Sequence, residues 1–279
     1  MSEPPGAGAA PSAGHPPGAG ATDAAARIGH PRVHLRRTDS TNERARALAL
    51  AGAPHGTLVT ASEQTAGRGR QGRSWSAPAG QALLMSLLLR SPPSLLPLIA
   101  AVAVCDVAGE RFKIKWPNDV VVELDDPEAP PGSGRNARLA KLAGILVEAR
   151  IQEGWAVLGI GVNVAVRLDD LPKELRGGVS GAMSAASLER APADVEPTLA
   201  ALLAALERRL SEPDGATLEA WRARDALHGH TIAWAGGSGR AEGIDGTGRL
   251  VVALDDGGRT ALGAGEVHLL GVGQRHRVR

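Results

Sequence analysis

The stretch "GRGRQGRSW", residues 67–75, fits the pattern G-x-G-x-x-G through Gly67, Gly69 and Gly72, with Arg68, Arg70 and Arg73 in the gaps. Read as a dinucleotide fingerprint, it would make the fold a doubly wound sheet. That fingerprint must open a helix, so that backbone N–H groups and the helix dipole face a pyrophosphate. After Gly72 the chain runs "RSWSAPAGQ", with Pro78, Gly80 and no helical periodicity, so the context excludes it. A nucleic-acid surface would need more basic residues and stacking aromatics nearby. The chain has no Tyr, one Phe, and a single Trp in this loop. The remaining functional reading is a loop too flexible to order alone, whose guanidinium forks grip a phosphate or carboxylate bidentately. Such a flap folds over an anionic ligand and excludes water when the ligand arrives. A merely solvated charged loop is the plain alternative.

Working outward, "GTLVTASE" and "QALLMSLLLR" read as strands on either side of this loop. Before them a short strand, "VHLRR", leads into a helix that ends near Gly52, a residue suited to a C-terminal cap. After them Ser94 is positioned to cap the buried helix "SLLPLIAAVAVCDVAGE". "FKIKWPN" and "DVVVEL" read as paired strands, and a charged Pro/Gly-rich insertion at 124–138 comes next. "KLAGILVEARI" and "GWAVLGIGVNVAV" are two more strands, with a tight turn at Glu153–Gly154. An amphipathic helix, "DVEPTLAALLAALERRLSE", precedes a shorter one reaching about Leu227. From Gly229 short strands recur every eight to twelve residues between Gly-rich turns, the texture of a small β-barrel. The expected class is α+β, with a Pro/Gly/Ala-rich disordered tail at 1–27, a larger domain at 28–227 and a small one at 228–279.

Net charge is +1, so no overall field draws the chain to nucleic acid or membrane, and anion recognition must be local. The single cysteine, Cys105, lies in an apolar run and reads as a small core residue. The eight histidines show no metal-ligand spacing. With no apolar run long enough to span a bilayer and no signal peptide, a cytoplasmic location is expected. Ser40 and Glu43 fit a capping box at the first helix. Of 31 basic residues only four are lysines, Lys113, Lys115, Lys141 and Lys173. A chain this inclined to arginine that keeps lysine in "AKLAG" and "IKWPN" hints at a need for a compact point charge there.

The segments "STN", "QTAGRGRQGRSW", "KWPND" and "KLAGILVE", then "GIGVNV" and, at the far end, "GEVHLL", occur in that order. Together they closely resemble the biotin protein ligases (biotin–[acetyl-CoA-carboxylase] ligases). The resemblance implies a mixed β-sheet flanked by helices, as in the biotin/lipoate ligase catalytic domain, and an SH3-like C-terminal β-barrel. It implies an ATP-dependent reaction in which biotin becomes biotinyl-5′-AMP and is transferred to one lysine of a biotin carboxyl carrier protein. The substrates would be biotin and ATP, with Mg²⁺, and the chain a monomer or homodimer. With only the tail ahead of the first strand, no DNA binding is expected.

The same resemblance implies residue roles. Ser40, Thr41, Asn42 and Gln64 would contact the biotin ureido ring, with Gly67, Gly69, Trp75 and Gly144 around the vitamin. Arg68, Arg70 and Lys141 are the expected catalytic cations, offsetting repulsion between the biotin carboxylate and the α-phosphate. Arg70, Arg73, Trp75, Lys115, Asn118 and Asn163 would serve the nucleotide, and Asp119 would contact the metal. A lipoate–protein ligase shares the region around "KLAG" but lacks the Gly/Arg loop with its Trp. A non-catalytic biotin sensor is the other rival; the presence of Lys141 with Arg68 and Arg70 argues against it.

Overall fold

The computed structural model describes residues 27–124, 138–171, 184–263 and 265–270. The expected disordered tail, the insertion after Leu124 and the C-terminal "GQRHRVR" lie outside them, Arg27 and Arg138 apart.

A large mixed sheet carries the molecule. Its strands are β1 (Arg32–Leu35), β2 (Leu58–Ala61), β5 (Ala82–Arg90), β6 (Phe112–Lys115), β7 (Asp119–Leu124), β8 (Arg138–Arg150) and β9 (Trp155–Asn163), in the spatial order β1-β2-β5-β9-β8-β7-β6. A short strand, β10 (Ser184–Ala185), also pairs with β8. β1 runs parallel to β2 and β10 parallel to β8, while the central pairs are antiparallel. Two-residue alternation along β5 explains the layering. Leu83, Met85, Leu87 and Leu89 enter the main core, under α2 (Leu96–Ala108) and α3 (Val195–Ser211). Leu88 faces the other way, against Ala45 and Ala49 of α1 (Thr41–Leu50). Ser86 shares that second face and is fully buried, a polar break in an apolar run.

α2 starts without help from Ser94. Its N-cap is Leu95, with no side-chain cap, and Pro97 stands in the first turn, where a missing N–H costs nothing. Fully buried residues such as Ala100, Ala101, Val102 and Ala103 anchor the helix by packing instead. Asp106 at its far end binds Arg208 and Arg209 of α3 and Arg224, just past α4 (Asp214–Arg222).

The expected loop at 67–75 is a small hairpin. β3 (Gly67–Arg68) pairs antiparallel with β4 (Ser74–Trp75) around a single 3₁₀ turn at Arg70–Gly72. Gln71 sits in the left-handed region at φ 55°. The C-terminal unit comprises β11 (Thr231–Trp234), β12 (Gly237–Ile244), β13 (Leu250–Ala253), β14 (Arg259–Leu262) and β15 (His268–Leu269). Among the described residues it is an open antiparallel sheet, β14-β13-β12-β11-β15, rather than a closed barrel. β15 contributes two described residues and pairs with β11 alone among the described strands. Nor is its core separate: Ile232, Ile244, Leu250 and Val267 join the main cluster. The Trp116 indole N–H donates to the Gly248 carbonyl at 3.1 Å across the same junction.

Candidate active site

The hairpin, the start of α1 and the turn between β6 and β7 surround an open cleft. Ser40, Thr41, Asn42, Gln64, Arg68, Gly69, Arg70, Arg73, Trp75, Lys115, Asn118, Asp119, Lys141 and Gly144 all line it. Two of the expected residues do not. Gly67 is buried in β3, where a Cβ would stand 2.3 Å from the Trp75 carbonyl oxygen, so its role is to let the hairpin close. The Asn163 amide is turned away and donates to the Ala186 carbonyl at 2.9 Å, tying β9 to the segment after β10.

At one end the polar side chains are cross-braced. Gln64 Oε1 accepts from the Thr41 backbone N–H at 2.7 Å and from the Thr41 hydroxyl at 3.0 Å. Gln64 therefore does what the capping box was expected to do, satisfying a free N–H at the helix start. Ser40 is the N-cap but makes no side-chain cap bond. Glu43 turns instead to two arginines, Arg46 and Arg68, because a carboxylate gains more from charge-assisted bonds than from a neutral N–H. Asn42 donates to Glu148 Oε2 at 2.8 Å, and its Oδ1 lies 2.6 Å from the Ser86 hydroxyl. Glu43 was read from the sequence only as a capping-box residue, and Ser86 and Glu148 were missed; the serine inside "LLMSLLL" was the available signal.

The floor is built from glycines. A Cβ at Gly161 would lie 2.7 Å from the Trp75 indole, and one at Gly144 would lie 3.2 Å from both Trp75 and Lys141. The indole thus rests on bare backbone, its Nε1 buried without a hydrogen-bond partner. Lys141 Nζ sits 5.6 Å from the Trp75 ring centroid, within cation–π range. Lys141 also forms an ion pair of 2.6 Å with the buried Asp119. Asn118 is locked to β8 by two bonds to Ile145, each 3.0 Å.

The cations differ in what they already hold. Arg73 pairs with Glu266, which comes from the C-terminal unit and also lines the cleft. Arg68 lies 3.0 Å from Glu43 and 3.5 Å from Glu148. Arg70 has no ion-pair partner among the described residues; burial lowers its pKa, Asp119 opposes that shift, and Arg73 adds to it. Arginine still keeps its charge at neutral pH. Burial likewise pushes the Lys115 ammonium below the ordinary lysine range, with Asp119 opposing and Lys141 and Arg73 adding to the shift. Arg70 and Lys115 thus line the cleft with no ion-pair partner among the described residues. Among the described residues no three His, Cys, Asp or Glu side chains converge as a metal cage. Asp119 is a single carboxylate already paired with Lys141.

The chain's fold is that of the biotin protein ligases. The biotin protein ligase from Aquifex aeolicus, solved in complex with biotin and ATP, aligns over 86% of this chain and 98% of its own, with a TM-score of 0.66 at 23% identity. The model of the biotin/lipoate A/B protein ligase family matches residues 34–164, and that of the biotin protein ligase C-terminal domain matches 238–270. The biotin--[acetyl-CoA-carboxylase] ligase of Paracoccus denitrificans is 33% identical over 255 residues, covering 84% of this chain and 98% of that protein. The chain belongs to the biotin/lipoate A/B protein ligase family. The bifunctional ligase/repressor BirA of Bacillus spizizenii is 39% identical over 163 residues; that match spans 54% of this chain and 45% of the relative. No helix among the described residues is long and apolar enough to cross a membrane.

Proposed function

We propose that this chain is an ATP-dependent biotin–protein ligase, which joins biotin to AMP and passes the biotinyl group to a lysine of a biotin carboxyl carrier protein. The observation that carries this reading is a cleft with a neutral, braced hydrogen-bonding end and a cationic end, bridged by Trp75 over a glycine floor. The braced end suits the ureido ring, since Gln64 and Asn42 supply amides and Ser40 a hydroxyl. The cationic end suits the two anions that must meet. Arg70, Lys115 and Lys141 offset the repulsion between carboxylate and α-phosphate, and the biotin carboxylate oxygen itself attacks phosphorus with pyrophosphate leaving. No protein nucleophile is required. Magnesium would enter on the ATP phosphates, with Asp119 the one carboxylate beside Lys141; the protein supplies no cage of its own among the described residues. A cytoplasmic setting and a monomeric or dimeric state are part of the same reading, as is action without DNA binding.

Incubating the protein with a biotin carboxyl carrier domain, biotin and Mg-ATP, then weighing the carrier by mass spectrometry, tests the proposal. A single added biotinyl group is expected, and an unmodified carrier with biotin still bound would favour a sensor. Lipoate adenylation in place of biotin adenylation would favour the lipoate rival.

Two further results are expected. Replacing Arg70 by glycine removes the one hairpin arginine with no ion-pair partner among the described residues, so the hairpin should hold the acyl-adenylate less well. Labelling should then spread from the carrier lysine to bystander lysines, read by peptide mapping; labelling confined to the carrier removes Arg70 from retention. Because burial lowers the Lys115 pKa, its charge is present at low pH and is lost as pH rises through a value below about 10.4. The KM for ATP should therefore climb as pH rises, before the ordinary lysine range is reached, and Lys115→Arg, which stays charged, should flatten the rise.

A further inference from the structure

We propose that Arg68 is a positioning residue, a clasp that closes the hairpin on the biotin end through Glu43 and Glu148, and not a phosphate ligand. This rests on the ligase reading and divides labour among arginines that sequence makes equivalent.

Each half of the Arg68 fork points to a carboxylate from a different element. Nη1 lies 3.0 Å from Glu43 Oε2, on the first turn of α1. Nη2 lies 3.5 Å from Glu148 Oε1, on β8. Arg68 on β3 thus spans two elements that lie far apart in sequence, with Glu43 and Glu148 as its two anchors. Glu148 also accepts from Asn42, and Asn42 meets Ser86, so the clasp continues into the side chains that would read the ureido ring. Charge makes the arrangement self-sufficient. Arg46 and Arg68 balance Glu43 and Glu148, two cations against two anions. Turning Arg68 toward a phosphate would leave Glu148, whose side chain is 23% exposed, with no cation paired to it among the described residues. Neither carboxylate lines the cleft, so both act through Arg68 or Asn42.

Each contact is partly exposed, so the expected effect is modest and specific. Four proteins test it: wild type, Arg68→Ala, the pair Glu43→Gln with Glu148→Gln, and the triple variant. Glutamine at 148 retains an oxygen for Asn42 while losing the charge. Biotin-dependent pyrophosphate release should show the KM for biotin raised about fivefold by Arg68→Ala and by the carboxylate pair alike. The triple variant should be no worse than either, because the groups act as one unit. The KM for ATP and kcat should stay within about twofold, and Arg68→Lys should recover part of the loss. A purely structural defect would instead lower kcat and thermal stability together.

A raised ATP KM in Arg68→Ala, with the carboxylate pair silent, would make Arg68 a phosphate ligand and overturn the clasp. Additive effects in the triple variant would overturn it equally. Limited trypsin digestion at Arg70 in the absence of ligands separates this from the ligase reading. Faster cleavage in all three variants than in wild type supports the clasp even if no pyrophosphate is ever released, and unchanged cleavage rejects it even if the enzyme is fully active.

Discussion

Replacing Lys141 by alanine is expected to slow biotinyl-AMP formation by about 100-fold or more, the scale of losing one preorganised electrostatic contact in a water-poor site. Lys141 stands where the two ends of the cleft meet, over the Trp75 ring and beside Asp119. In the proposed reaction a point charge there would reach both reacting anions without the fork geometry that would commit it to one. The single substitution also strands the Asp119 carboxylate, whose side chain is 9% exposed, so a second variant is needed. Lys141→Ala with Asp119→Asn removes the stranded charge. If repulsion by Asp119 were the whole effect, the double variant would recover; it is expected to remain slow. Single-turnover pyrophosphate release at saturating ATP makes the measurement, and a near-normal rate in Lys141→Ala would show the charge to be dispensable.

The second large effect is expected from one methyl group. In Gly159→Ala the new Cβ would stand 2.1 Å from Asn42 Oδ1 and 2.8 Å from its Cγ. Asn42 has nowhere to go, since Ser86 and Glu148 hold its two amide ends. Overpacking of this kind costs about 1–3 kcal/mol, which corresponds to a biotin Kd raised by roughly 5- to 150-fold. ATP affinity should be little changed, because the clash lies at the opposite end from Lys115. Gly215→Ala, in α4 with open space around it, is the control and should bind biotin normally. Titration calorimetry reads both; equal biotin affinity in Gly159→Ala and wild type would mean Asn42 is not part of the vitamin site.

Much of this is legible in the chain itself. Short, near-continuous apolar runs place β5 and β9, and the lack of helical periodicity after Gly72 rejects a dinucleotide loop. The ordered strings from "STN" to "GEVHLL" point to the family. Local chemistry misleads in instructive places. Ser94 and Ser40 have the side chains that cap helices, yet neither makes a side-chain cap, because packing at Leu95 and a distant Gln64 do that work. The barrel texture after Gly229 is real at the level of strands, but among the described residues they form an open sheet, and closure is a matter of which edges pair, which local spacing does not specify.

Sequence alone supplied the residue types: three arginines on a glycine-rich loop, a rare lysine, a tryptophan and a polar helix start; that they share one site is what the family resemblance implied. Residue types and their order are properties of the chain itself. Only the tertiary structure decided which cation is spoken for. Arg68, Arg70 and Arg73 alternate with glycine along the same short stretch, yet Glu43, Glu148 and Glu266 reach the first and third from elements far apart in sequence. A charge is free or committed according to what lies within a few ångströms of it, and that distance is set by the fold.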